Sequence, residues 1–487
     1  MAALPPLEQL DPAEAWAAWA PSERDPWTRK WAAHLYRRAG FGASGQELAA
    51  AEKAGLAATL DLLLAGRPNA DDLLPTLADV GRVAAARDTD GTEIRGWWVY
   101  CALQGGHPLR EKMTLFWHNH FATSIFKVRE APLMVRQNAL FREHALGKFG
   151  PLLRAVGRDG AMLIWLDSNS NVKGKPNENY AREVMELFSL GVGNYTEKDI
   201  REAARAFTGW HTDGTGFRFD ADQHDTGPKT VLGKTGNWDG EGVATILLDQ
   251  PATARFLVGK LYTYLVSEIA PPVGLLEPLC AAFRKSEYDV AALVKTILAS
   301  RLFFSDHAFR KKIKSPVEYV LGAARAVYRQ YDEDDVHYRP LAHQPLVKWL
   351  GTMGQALFAP PNVKGWPGGR AWLTTATVLE RDNFASALAS GALWVPPAET
   401  VGFAVSTDLL PPRAFDPARV ADEEKVTTPE GVVRVLLDQF VPGGVRPEAR
   451  EKLEAFVAAD KPAGLDLARR AREAAHAILT MPESQLN

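Results

Sequence analysis

The stretch from Asp167 to Tyr195, DSNSNVKGKPNENYAREVMELFSLGVGNY, gathers side chains that could ligate a cation or move a proton. Asp167, Asn169 and Asn171 alternate, and Glu178 is the twelfth residue counted from Asp167. Oxygen donors at loop positions one, three, five and twelve are those of a calcium loop, because a hard cation takes several oxygens from one short turn. A divalent ion, calcium or another, is therefore the cofactor these residues suggest. Two features oppose it. The sixth position is Val172 instead of the glycine that makes the sharp turn, and Lys173 and Lys175 would repel a cation. The alternative is a series of Asx turns that launches the following helix from near Pro176.

That helix carries a second carboxylate group. At 100° per residue, Asn179, Arg182, Glu183 and Glu186 share one side, while Tyr180, Ala181, Val184, Leu187 and Phe188 share the other. Carboxylates three apart on a helix can converge on one ion, so Glu186 is a candidate metal ligand and Glu183 a candidate catalytic acid or base. Against this stands a plain ion-pair network with Arg182, Arg201 and Arg205.

Two further constellations could supply proton transfer. FWHNHF puts His118 and His120 about 200° apart on a helix, so one regular helix cannot aim both at one ion. The expected division is a core-packed His120 and a functional His118. Residues 210–243 hold His211, Asp213, Asp220, Asp222, His224 and Asp225 in a Gly-rich stretch. The adjacent His224 and Asp225 are acid–base candidates, set against a hydrogen-bonded clasp in which His224 caps its own turn. GPKTVLGKTG lacks the spacing of a phosphate loop, and no GxSxG, HExxH, GxGxxG or kinase motif occurs.

The elements that must position these groups are helices. DPWTRKWAAHLYRRAGFG predicts a helix closed by Gly40 or Gly42, and SGQELAAAEKAG and LAATLDLLLAG two short ones. Pro108 opens PLREKMTLFWHNHFATS at a favoured first-turn position, and Thr196 with Asp199 forms a capping box for the helix ending at Gly209. Residues 210–243 break the pattern as an irregular, partly β insert, with GFRFDADQHD alternating like a short strand. The expected fold is mainly α. An N-terminal extension (1–26) precedes a large multi-helix domain (27–394), followed by a Pro-rich linker (395–425) and a small C-terminal helical bundle (426–487).

Composition bounds the function class. The 487 residues are 46% apolar and 24% charged, as in ordinary globular chains. A net charge of −3 gives no bulk attraction to nucleic acid, and no apolar run is long enough for membrane insertion. Two cysteines, Cys101 and Cys280, exclude a disulfide framework. The amino terminus lacks a basic region followed by an apolar run, so a cytoplasmic location is expected. The 14 tryptophans suit either a rigid core or a surface that grips carbohydrate.

Several of these blocks carry a family resemblance. WAAHLYRRAGFG, REKMTLFWHNHFATS, PNENYAREVMELFSLGVGNYTEKDIREAARAFTGW, HDTGPKTVLG, KSPVEYVLGAARA and NVKGWPGG resemble the bacterial domain-of-unknown-function family eighteen hundred, over about residues 28–390. The resemblance implies a predominantly helical fold and transfers no activity or catalytic residue. It also implies that an exported or envelope location and a sulfatase-like protein partner belong among the expectations.

Three functions follow from the residues and the resemblance. The first is a metal-dependent hydrolase acting on a polymeric or saccharide substrate, with Asp167, Asn169, Asn171, Glu178 and Glu186 as metal ligands and His118, His224, Asp225 and Glu183 as catalytic groups. The second is a non-catalytic binding or scaffold protein, with paired carboxylates and an exposed aromatic strip. The third is an accessory subunit of a sulfatase-like partner.

Overall fold

The computed structural model describes residues 4–327, 344–390, 393, 417–418, 425–459 and 466–487. Among these residues the architecture is mainly α, with two small hairpins in the insert. Most of the expected linker, 395–425, lies outside the described residues.

The helices in chain order are α1 (Pro12–Trp16), α2 (Arg29–Ala39), α3 (Gly45–Ala65), α4 (Leu73–Arg87), α5 (Thr92–Gln104), α6 (Pro108–His120), α7 (Ile125–Val128), α8 (Ala131–Glu143), α9 (Phe149–Gly157), α10 (Gly160–Trp165), α11 (Asn179–Glu186) and α12 (Glu197–Ala206). After the insert come α13 (Gly240–Asp249), α14 (Pro251–Leu265), α15 (Glu277–Lys285), α16 (Val290–Leu298), α17 (Pro316–Val327), α18 (Gln344–Thr352), α19 (Thr375–Ala389), α20 (Pro429–Phe440), α21 (Pro447–Ala458) and α22 (Leu467–Thr480).

Local chemistry explains several boundaries. Gly55, at φ +83°, breaks α3 into the two short helices its sequence suggests, and Ser44 and Glu47 form a reciprocal capping box at its start. The Thr196–Asp199 box opens α12, and Pro108 stands in the first turn of α6. α11 starts at Asn179, later than Pro176, because asparagines hold the preceding chain away from helix. Asn171 Oδ1 accepts from the Asn177 N–H at 2.9 Å, and Asn177 Oδ1 accepts from the Asn179 N–H at 2.9 Å.

In the insert, β1 (Trp210–Thr212) pairs antiparallel with β2 (Phe217–Phe219), and β3 (Lys229–Val231) with β4 (Lys234–Gly236). β3 packs on α12, and β1 lies against α10.

Two hydrophobic clusters form the interior. One gathers α1–α3, α9, α11–α16 and much of α6; the other gathers α4, α5, α8, α17–α19 and α20–α22. The C-terminal helices thus share a core with the central ones: α22 packs on α19, and α20 on α17. α6 borders both clusters and is buried almost all round. A helix so placed must pair its polar groups inside the protein. The Arg142 guanidinium donates to both oxygens of Glu111 (2.6 and 3.0 Å), and Lys112 pairs with Glu318 of α17. No helix among the described residues is long and apolar enough to cross a membrane.

Candidate functional site

Side chains of the Asp167 loop bond to groups of the protein itself. Asp167, itself at φ +59°, accepts from Lys127 Nζ at 2.9 Å and from Asn179 Nδ2 at 3.3 Å. Asn169 binds Thr212 of β1 in both directions, through Nδ2 to the carbonyl (2.9 Å) and Oδ1 from the N–H (2.8 Å). Buried Asn171 donates to the Ala204 carbonyl of α12 at 3.0 Å. Glu178 pairs with Arg182 at 3.1 Å. The four expected metal ligands of the loop therefore bond to different partners, while the fifth, Glu186, lies on α11, and the loop stitches α10, α11, α12 and β1 together. Among the described residues no group of three or more His, Cys, Asp or Glu side chains could hold a metal ion.

The His224–Asp225 step is likewise held in place. Asp225 takes Arg205 through both oxygens (2.7 and 3.2 Å), and His224 Nδ1 meets the Thr208 carbonyl at 2.8 Å. Buried Lys229 reaches the Asp225 and Gly227 carbonyls at 2.5 and 2.9 Å. Gly209, at φ +79°, lets this loop close onto α12: a Cβ there would collide with the Asp220 carbonyl. Lys173 N–H donates to the Gln223 carbonyl at 2.8 Å, which ties the insert to the Asp167 loop.

His118 and His120 are both buried. Neither nitrogen of His118 has a partner, and its ring is enclosed by Trp98, Phe141, Phe358 and Trp366 at centroid distances of 4.9–5.8 Å. Burial pulls its pKa down to about 3, so the ring is neutral at ordinary pH. His120 meets the Phe188 carbonyl through Nε2 at 3.0 Å and Lys260 Nζ through Nδ1 at 3.0 Å. Burial lowers Lys260 to about 8.

Glu183 and Glu186, on the half-buried face of α11, stand apart from these networks. Arg182 turns away to Glu197, with two contacts at 2.8 Å, and to Glu178. Among the described residues nothing donates a hydrogen bond to the Glu183 carboxylate. Burial raises its pKa and the Glu186 charge adds to that, while Arg182 and Lys364 pull the other way. The Tyr195 hydroxyl donates to Glu186 Oε2 at 2.5 Å. Burial and then that bond push the phenol up to about 12, which keeps it a donor.

Lys364 comes from the turn of NVKGWPGG, which docks on the end of α6: Asn119 Oδ1 accepts from the Trp366 N–H at 2.6 Å. Gly365, at φ +87°, lies so close to Asn119 that a Cβ would overlap the amide oxygen. The helix after the Asp167 loop, the end of α6 and the NVKGWPGG turn thus meet at one surface. Tyr195 and Lys364 belong to blocks that sequence reading singled out, but no local pattern ties either to Glu183. Tyr195 thus bonds Glu186, and Glu186 and Lys364 act electrostatically on Glu183.

The fold and this surface define a mainly helical, two-core protein with two carboxylates, Glu183 and Glu186, that form no ion pair among the described residues, beside the junction of three sequence blocks. The chain belongs to the family described as "Protein of unknown function (DUF1800)", whose profile matches residues 34–486. No curated protein and no solved structure matches the chain.

Proposed function

We propose that the protein is a hydrolase of a polymeric or saccharide substrate, with its chemistry at Glu183 and Glu186. The observation that carries this reading is the state of Glu183: half-buried, without a hydrogen-bond donor among the described residues, and raised in pKa beside a second carboxylate. A structural carboxylate in this protein looks different, as Glu111 and Asp225 do in their bidentate arginine pairs. A raised carboxyl can protonate a leaving-group oxygen, and a neighbouring carboxylate can activate water or stabilise positive charge. Glu183 takes the first role and Glu186, oriented by Tyr195, the second.

Proton chemistry suits this pair better than a bound cation. The positive charge of Lys364 beside Glu183 would compete with a metal. A scaffold role would call for an aromatic strip, yet no described tryptophan is fully exposed. A polymer would fit the open surface, since no closed cavity is needed to orient a chain bound along it.

The test is release of reducing ends from a panel of glucans, xylans and peptidoglycan, with the wild type, Glu183→Gln and Glu186→Gln. The expected outcome is turnover that falls by about 100-fold or more in Glu183→Gln at unchanged melting temperature. No turnover on the whole panel, or equal turnover in Glu183→Gln, overturns the reading.

A further inference from the structure

A second site lies away from Glu183, where α2, α17 and the chain end meet. A small cavity of about 40 Å³ is lined by Arg37, Lys314, Glu318, Gln439, Ser484 and Asn487, among apolar groups. The charge around it is unbalanced. Arg37, Arg38, Lys112, Lys312, Lys314 and Arg381 are electrostatic neighbours of one another, and Glu318 and Glu268 are the carboxylates that face them.

Both carboxylates are already engaged. Glu318 pairs with Lys112 and accepts from the Ser315 N–H at 2.8 Å, and Glu268 lies 3.7 Å from Lys312. The polar neutral groups are spent too: Ser484 donates to the Ile478 carbonyl at 2.5 Å, and Gln439 to that of Ala326.

The cations that line the cavity remain unsatisfied. Lys314 is 9% exposed, and its ammonium has no hydrogen-bond partner among the described residues. The buried Nε of Arg37 has none either, nor do Nε and Nη1 of Arg38 or Nε of Arg381 behind it. Buried guanidinium nitrogens without acceptors, such as Nε of Arg37, carry a desolvation cost that a bound anion beside Lys314 would offset. Burial lowers Lys314 to about 7 and Arg37 to about 9, and neighbouring arginines add to both shifts. That is the electrostatic signature of a positive cluster lacking its counter-charge.

We propose that this cavity binds a small oxyanion, of the phosphate, sulfate or carboxylate class, between Arg37 and Lys314. Guanidinium offers a planar fork to two oxygens of such an ion, and the ammonium a point charge to a third. The same oxyanion chemistry could come from a main-chain carboxylate on Asn487, whose carbonyl oxygen already accepts from Arg38 at 3.1 Å.

The experiment is the melting temperature of the full chain in rising phosphate or sulfate, with ionic strength held constant by chloride. Wild type should gain about 2 °C or more, saturably, and Lys314→Met and Arg37→Met should each lose that gain. Having two variants guards against misfolding of one. No response in the wild type, or an undiminished response in both variants, overturns the proposal. So does a response that first appears when a glycine is appended to Asn487, since the main-chain carboxylate would then be the anion of this cluster.

Discussion

His118 illustrates how surroundings decide what a side chain can do. Its place in FWHNHF gives it every formal qualification for acid–base work, but four aromatic rings enclose it and neither nitrogen has a partner. An apolar group of similar volume should therefore be tolerated, because the imidazole gains nothing from its polar atoms. His118→Leu is expected to change stability by less than about 1.5 kcal/mol at mildly alkaline pH, as measured by urea unfolding. The pH dependence separates the two proteins further. With its folded pKa near 3 against an ordinary 6.5, the wild-type ring contributes full stability above 6.5 and loses it as pH falls toward 3. His118→Leu lacks that loss, so its relative stability should rise on acidification. Glu183 has the opposite sign for a carboxyl. Its raised pKa means that native stability is highest below the ordinary 4.5 and partly lost as pH rises through the folded value. Glu183→Gln should accordingly be at least as stable as wild type at neutral pH, and a clear loss in melting temperature there would count against an unpaired carboxylate.

At the scale of elements, the Asp167 loop acts as a fastener. Asn171 holds the Asn177 N–H and the Ala204 carbonyl, and Asn169 holds both main-chain groups of Thr212. Asn171→Ala should cost about 1–3 kcal/mol in urea unfolding, because those main-chain groups lose their partner in a buried place. Calcium or chelator should leave the melting temperature of both proteins unchanged, since Asp167, Asn169, Asn171 and Glu178 are held by separate partners; a calcium-dependent rise would show that the loop rearranges around an ion. The sequence was informative about such elements where the determinant is local. The Thr196–Asp199 box, the Pro108 start of α6 and the break at Gly55 all lie within one turn of the boundary they set. Spacing along the loop suggested a calcium pattern for the same reason, but Lys127 and Thr212, which donate to the Asp167 and Asn169 oxygens, lie 40 and 43 residues away. Tyr195 and Lys364 were illegible as neighbours of Glu186 and Glu183 on the same ground: one returns after α11 ends, and the other arrives on a turn fixed by Asn119.

Across the whole molecule, α6 lies between two cores and contributes side chains to each. Its Lys112 is fully buried and pairs with Glu318 of α17, which is 7% exposed. Burial pushes Glu318 up, but Lys112 and Lys312 outweigh it and hold the carboxyl at about 2. Removing that one negative charge leaves Lys112, Lys312 and Arg38 facing each other in a low-dielectric interior. Glu318→Gln is therefore expected to cost about 3–5 kcal/mol near neutral pH, the range for breaking a buried pair from one side. Because the C-terminal helices pack on α17 and α19 within the second cluster, and α6 borders both clusters, one cooperative transition is expected by both far-ultraviolet circular dichroism and tryptophan fluorescence. The sign with pH is fixed by the depressed carboxyl. Its contribution is full above the ordinary 4.5 and lost as pH falls toward 2, so the gap between wild type and Glu318→Gln should close on acidification. A gap that stays constant through that range would place the stabilisation in packing instead of charge. Two separated transitions would mean that α6 does not couple the cores.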